Sequence, residues 1–355
     1  MCPAGEHTLR EITTQDESWR SAFEAARGQR DAIQKLWHDN RGLPVVFTGC
    51  GSALNLSKFA AVMFQTVTGA ACRAAAASEL LLHTESITSQ GDLPLVVAFS
   101  RSGETTETVQ AANKMASGGS DVIAVTCEAE SRLARLATAT IVISEGREES
   151  VAQTRSLAGM MVGALSLAAL VNNDRALLDD LTRLPSLAAG IMGRSEAIAE
   201  AVGVREGYRR ITYLGSGAMF GLAREGALKM TEMSLSMADA HTFLEYRHGP
   251  MALVDHEHLI VALLSDDMRD HEVEVLHEIR RSDGRLLAVA NRDEGLSELG
   301  EVLALGGPVG PWARAVLYLP VLQFLGYHRG LAKGVDPDRP RNVHMAVTVD
   351  GLEQS

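Results

Sequence analysis

The chain repeats its own pattern, and that repetition limits what it can fold into. Val45-Val46-Phe47-Thr48-Gly49-Cys50-Gly51-Ser52 returns as Ile211-Thr212-Tyr213-Leu214-Gly215-Ser216-Gly217-Ala218. The apolar run ending at Ser100 returns in Leu259–Ser265, and Val122–Thr126 returns in Leu286–Ala290. Gly51 and Gly217 lie 166 residues apart, Ser100 and Ser265 165, and Val125 and Val289 164. Three landmarks at a near-constant offset mark a duplicated unit. Within each copy, short apolar runs alternate with segments of helical period, which predicts a parallel sheet with crossover helices. The expected fold is α/β: two tandem domains, each a flavodoxin-like or Rossmann-like sandwich around a parallel sheet. Such sheets bind ligands at the carboxyl ends of their strands.

Length and composition allow this. The 355 residues suffice for one domain built twice, and a hydrophobic content of 46% can fill two cores. No stretch approaches 18 uninterrupted apolar residues, and Met1–Arg10 has no signal-peptide core, so a soluble, cytoplasmic protein without a membrane partner is expected. A net charge of −12 without a basic run argues against nucleic acid. Cys2, Cys50, Cys72 and Cys127 are not paired at C-x-x-C spacing, so neither zinc nor a redox centre is expected. His256, His258, His271 and His277 read as surface residues rather than a metal set. No metal and no cofactor is expected.

The most informative stretch is Pro94–Thr106. A buried strand, Leu95 to Phe99, breaks into Ser100-Arg101-Ser102-Gly103-Glu104-Thr105 and then into a helix with Val109, Ala112 and Met115 at helical spacing. A helix start offers unpaired N–H groups and partial positive charge. Gly103 permits positive φ or close approach of a ligand, Ser100, Ser102 and Thr105 add hydroxyls, and Arg101 adds a charged fork. The bland alternative is a helix capped by Ser102. The loop matches neither a Walker A nor a G-x-G-x-x-G sequence. In the second copy Ser265 is followed by Asp266-Asp267-Met268, whose carboxylates would repel an anion, so the anion site is assigned to the first copy.

Ser100-x-Ser102-Gly103-Glu104-Thr105 resembles the phosphate loop of the SIS (sugar isomerase) family. The resemblance runs from Leu9 to Val349. It implies a phosphosugar as ligand, held by Ser100, Arg101, Ser102, Gly103 and Thr105, with Ser52 contributing from the Gly49-Cys50-Gly51-Ser52 turn, where relatives read G-T-S. Glu148-Glu149-Ser150-Val151-Ala152-Gln153-Thr154-Arg155 is similar to a family segment that lines the sugar site, which adds Val151. Read without the family, that segment is an acidic helix start. Domains are expected at 1–40 (a helical arm), 41–184 and 185–335 (two SIS domains) and 336–355 (a tail lining the site). A charged linker is expected from Asn172 to Leu184, punctuated by Pro185. Cys2 suggests an N-terminal nucleophile, as in the amidotransferase domain of glucosamine-6-phosphate synthase. Only about forty residues precede the first strand, too few for such a domain.

Glu225, Lys229 and Glu232 fall on one stripe of a helix expected over Ala218–Ala238, half buried, which fits an ordinary ion-pair ladder. Glu225-Gly226-Ala227-Leu228-Lys229-x-x-Glu232 followed by Arg247-His248-Gly249-Pro250 also matches the SIS pattern E-G-A-L-K-x-x-E…K-H-G-P. The match implies Glu232 as the base that moves a proton between C1 and C2, His248 as the ring-opening acid/base and Lys229 as an orienting cation. It also implies a homodimer in which His248 comes from the other subunit. The residue types suit the reaction, because an aldose–ketose interconversion passes one proton across an enediol and needs a second group at the ring oxygen. Asp336–Val349 resembles the family's ending, with Met345 where a lysine stands. The leading expectation is an isomerase of a sugar with a C6 anion, a phosphate or a sulfonate as in sulfoquinovose. Alternatives are an amino-sugar-phosphate deaminase/isomerase, a fructosamine-6-phosphate deglycase and a non-catalytic sugar-phosphate sensor.

Overall fold

The structure is a computed structural model and describes residues 3–89, 91, 93–345 and 347. Cys2, Thr348 and Val349 lie outside the described residues. Among the described residues, ten strands form two five-stranded sheets, every pairing parallel. The first contains β1 (Val45–Gly49), β2 (Cys72–Ala76), β3 (Leu95–Ser100), β4 (Val122–Thr126) and β5 (Ala139–Val142) in the order β2-β1-β3-β4-β5. The second contains β6 (Arg210–Gly215), β7 (Ala238–His241), β8 (His258–Leu263), β9 (Arg285–Ala290) and β10 (Glu301–Ala304) in the order β7-β6-β8-β9-β10. The two orders are the same order shifted by five strands, so the duplication read from spacing is a duplication of topology. Gly51 and Gly217, equivalent residues, both have φ +56°.

The chain divides into two compact units. The first holds residues 14–148 and 153–185 and the described tail from His344. The second holds the residues up to Thr13, the short piece 149–152 and residues 186–343. In the first, β1, β3 and β4 are buried at every residue, and the Phe47 and Phe99 rings stack at 6.2 Å. The helix Arg155–Asn172 has the length and hydropathy of a membrane span, but 89% of it is buried inside the fold, where it is a core helix. Its Gly159 admits Ser18 at close range: a Cβ there would come within 2.0 Å of Ser18 Oγ.

The expected helix Thr8–Trp37 is three helices, Glu6–Thr13, Gln15–Gly28 and Arg30–Asp39. The first belongs to the second unit and the other two to the first. Where a linker was expected, Arg175–Gly203 is one helix with Pro185 inside it. Proline removes one helical hydrogen bond, and the buried Leu177, Leu181, Leu184, Ala188 and Ile191 hold the pattern across it. The helix expected over Ala218–Ala238 stops at Ser234, with Leu235 in the left-handed region at φ +51°, and Ala238–His241 is β7.

Candidate active site

In the first sheet, β1 lies between β2 and β3, so the crossovers diverge between β1 and β3. That switch point is where open α/β sheets bind ligands. The turn Gly49–Ser52 leaves β1 there and the loop Ser100–Thr105 leaves β3. Three of the loop's carbonyls are taken up by neighbouring elements. Arg101 O accepts from Cys127 N at 3.0 Å and Thr126 Oγ1 at 3.2 Å, Gly103 O from Leu133 N at 3.0 Å, and Glu104 O from Arg132 Nη2 at 3.1 Å. The Glu104 carboxylate also accepts from Arg132 N and Nε, each at 2.8 Å. At the start of the helix that follows the loop, Thr106 N donates to Val347 O at 3.2 Å. Gly103 has φ +63°, and a Cβ there would lie 2.1 Å from Ser131 Oγ. Only glycine fits on both counts.

Ser100 Oγ accepts from Gly103 N at 3.0 Å and Ser102 Oγ from Glu104 N at 3.2 Å, so both hydroxyl hydrogens stay available. Thr105, not Ser102, is the N-cap of the helix Thr106–Ser117, and its side chain makes no capping bond. Ser52, 4% exposed, begins the helix Ser52–Thr68. Arg101 is placed differently from the expected fork. It is buried, and its guanidinium is turned to Glu148 at 3.0 Å and to the Met345 carbonyl at 3.0 Å. The Glu148 side chain, read from sequence only as part of an acidic helix start and of the family-like segment, is fully buried. It also accepts from Thr154 N and Oγ1 and from Ser156 N and Oγ, at 2.5 to 3.1 Å. A charge taken out of water is retained where hydrogen bonds and a counter-ion satisfy it.

In the second unit, Glu225, Lys229 and Glu232 share one face of the helix Met219–Ser234. They are more buried than expected: Glu225 and Lys229 are 1% exposed, and only Glu232, at 17%, reaches solvent. The Lys229 ammonium lies 2.5 Å from Glu232 Oε2 and 3.5 Å from Glu225 Oε1. Small residues on the neighbouring helix Leu319–Ala332 allow this depth, since a Cβ on Gly326 would lie 3.0 Å from Lys229 O and one on Gly330 2.3 Å from Met233 O. His248 stands on a rigid turn. Arg247 forms a fork with Glu278 at 2.8 and 2.9 Å, Gly249 has φ +133°, and Pro250 opens the next helical turn. The His248 ring is exposed between these fixed neighbours. Val151 also belongs to this unit, and its N–H donates to Asp338 O at 3.0 Å.

The second copy's loop is occupied by the chain itself. Ser265 Oγ accepts from Met268 N at 3.2 Å, the same turn that Ser100 makes with Gly103. Ser265 N and Oγ then donate to the buried Glu272 carboxylate at 2.7 and 3.1 Å. Burial pushes the Glu272 carboxyl up to about 7. Asp266 is ion-paired with Arg314, so Glu272, more than the Asp266–Asp267 pair, closes this loop to an anion.

His258, expected on the surface, is 2% exposed. Its Nε2 lies 2.8 Å from Thr212 Oγ1 and its Nδ1 3.3 Å from Leu253 O, and burial lowers its pKa. Among the described residues, no three His, Cys, Asp or Glu side chains are arranged to hold a metal. Cys50, Cys72 and Cys127 are free thiols, and burial raises the pKa of each, Cys72 to about 12.

Comparison with known proteins agrees with this architecture. Over 363 residues the chain is 29% identical to glutamine–fructose-6-phosphate aminotransferase (isomerizing) of Pseudomonas aeruginosa, covering 96% of this chain and 58% of that protein. The corresponding protein of Thermococcus kodakarensis is 28% identical over 353 residues, with the same coverages. The chain thus spans less than two thirds of these relatives. Among solved structures, the C-terminal domain of glucosamine-fructose-6-phosphate aminotransferase from Francisella tularensis superposes with TM-score 0.83 at 25% identity, covering 95% of this chain and 99% of that one. A glucosamine-6-phosphate deaminase from Thermotoga maritima gives TM-score 0.75 at 26% identity, covering 93% and 100%. The SIS domain profile matches residues 42–170 and 207–297, which is more than half of the chain. The chain belongs to the SIS domain family.

Proposed function

We propose that the protein interconverts an aldose and a ketose carrying a C6 phosphate. The observation that carries this reading is the Glu225–Lys229–Glu232 set: one buried ammonium, two carboxylates, and only Glu232 reaching solvent. Lys229 Nζ, 2.5 Å from Glu232 Oε2, holds this carboxylate where it reaches solvent. In this reading Ser52, Ser100, Ser102, Gly103 and Thr105 bind the phosphate, with Arg101 supporting the loop from beneath, and His248 assists ring opening. Glu232 takes the proton from the carbon next to the carbonyl and returns it to the other carbon of the enediol. These steps use side chains only. A sulfonate would meet the same donors.

His248 serving the other subunit of a homodimer belongs to the same proposal. Leu244 and Leu253, each 50% exposed on either side of His248, suit a covered face. A second reading, deamination coupled to isomerisation, is favoured by the likeness to the Thermotoga deaminase and by Met345 standing where the family pattern has lysine.

The test is incubation with fructose, glucose, tagatose and glucosamine 6-phosphates and with sulfoquinovose, following ketose formation and ammonia release separately. Glu232→Gln is expected to lower turnover roughly 10²–10⁴-fold while sugar-phosphate binding persists. Near wild-type turnover in that variant would remove Glu232 from the reaction. Release of ammonia from glucosamine 6-phosphate would select the second reading.

A further inference from the structure

Residues 149–152 belong to the second unit, although the chain on either side of them belongs to the first. Four residues detached in this way need their own anchorage, and the described bonds trace it to Glu11. Its carboxylate is 0% exposed. Oε1 accepts from Glu149 N at 2.5 Å and Ser150 N at 3.3 Å, and Oε2 accepts from the Ser150 hydroxyl. One side chain therefore satisfies two consecutive backbone donors and a hydroxyl, and the next residue is Val151.

The other side of the segment is pinned by Asp338, whose carbonyl accepts from Val151 N at 3.0 Å. The Asp338 carboxylate in turn accepts from Thr8 N and Oγ1 at 2.7 Å and from His7 N at 3.1 Å, which fixes the helix that carries Glu11. The exposed pairs Arg10–Glu149 and His7–Glu149 add little, because water screens them.

We infer that Glu11 is a positioning residue for sugar binding: its buried carboxylate sets the backbone of residues 149–151 and so fixes where Val151 meets the sugar. The inference rests on the isomerase reading for the role of Val151. A purely structural carboxylate would change stability alone. A positioning carboxylate changes recognition of the sugar and leaves recognition of its phosphate intact.

The experiment measures equilibrium binding of fructose 6-phosphate and of inorganic phosphate to the full chain as wild type, Glu11→Gln and Glu11→Ala, with unfolding temperature recorded for each. Glu11→Ala removes the acceptor of two backbone N–H groups, the Ser150 one buried, and is expected to weaken fructose 6-phosphate on the order of tenfold, while phosphate changes less than about twofold. Glu11→Gln keeps one acceptor for the backbone, and Ser150 Oγ can turn its hydrogen to Ala152 O, 3.1 Å away, so this variant is expected to fall between the two. If Glu11→Ala does not fold, Glu11→Gln and Ser150→Ala carry the comparison.

Equal losses for both ligands, or unchanged sugar-phosphate binding in folded variants, would overturn the role of Glu11 while wild-type turnover keeps the isomerase reading. A wild type that binds fructose 6-phosphate but isomerises none of the panel would sink that reading and leave the binding ratio decisive for Glu11. A wild type that binds neither ligand would overturn both.

Discussion

Replacing Glu272 with glutamine should stabilise the protein at pH 8 and leave it nearly unchanged at pH 5. Burial raises the Glu272 carboxyl from 4.5 to about 7, outweighing the two hydrogen bonds from Ser265 that favour the charged form. The folded state therefore holds a proton that the unfolded state has released over that interval. Stability falls as pH rises from about 4.5 to about 7 and stays at the lower level above it. A displacement of about 2.5 pH units corresponds to roughly 3 kcal/mol. Glutamine has the shape of the protonated acid and does not titrate. The variant should gain up to that amount at pH 8, about 2–4 °C per kcal/mol for a unit of this size. Thermal unfolding of both proteins at pH 5, 6.5 and 8 measures it. A stability difference that does not change with pH, or a variant weaker than wild type at pH 8, would show that Ser265 keeps the carboxylate charged and refute the reasoning.

Gly103→Ala should lose inorganic-phosphate binding in titration calorimetry and also cost stability. It forces a Cβ into a positive-φ position and against Ser131, and backbone strain alone costs on the order of 1–3 kcal/mol. Glu148→Ala should destabilise by about 3–5 kcal/mol in denaturant unfolding, because Arg101 is left buried without its counter-ion. His258→Gln should flatten the acid limb of the stability profile. Burial depresses this histidine, so its contribution is complete above about pH 6.5 and is lost as pH falls through its lower folded value. Unfolding followed at pH 7 and pH 5 should show wild type losing more than the variant.

Much of the fold was legible because parallel sheets bury both strand faces, so β1, β3 and β8 read as unbroken apolar runs. The repeat was legible because its glycines answer to geometry: Gly51 and Gly217 share one φ, and a Cβ on Gly49 or Gly215 would lie 2.6 Å from an atom four residues later. Pro185 misled because local punctuation predicts a break, whereas Leu181 and Leu184 before it and Ala188 and Ile191 after it are buried along one helix. The site was legible in its residue types but not in their burial. In sequence Arg101 reads as a fork turned to a ligand and Lys229 as half buried, and both are buried against glutamates, Arg101 against one 47 residues away. Glu11 and Glu272 could not be distinguished from any other helical acid, because what singles them out is a backbone that folding brings to them.

The two loops also explain why one copy is left open and the other is not. Glu107 and Glu272 are equivalent, each seven residues beyond the serine that ends its strand. In the second copy the helix begins at Arg269, four residues after Ser265, and Glu272 sits in its first turn facing that serine's N–H and hydroxyl. In the first copy the helix begins at Thr106, six residues after Ser100, so Glu107 is the second helical residue rather than the fourth. A helix turns about 100° per residue, so a shift of two residues carries the side chain to the far side of the helix. Glu107 accordingly makes no bond to Ser100 among those described, and its Oε2 is buried without a hydrogen bond. Two extra loop residues, one of them a glycine at positive φ, thus separate a loop whose serine hydroxyls bind no carboxylate of their own chain from one that has bound its own.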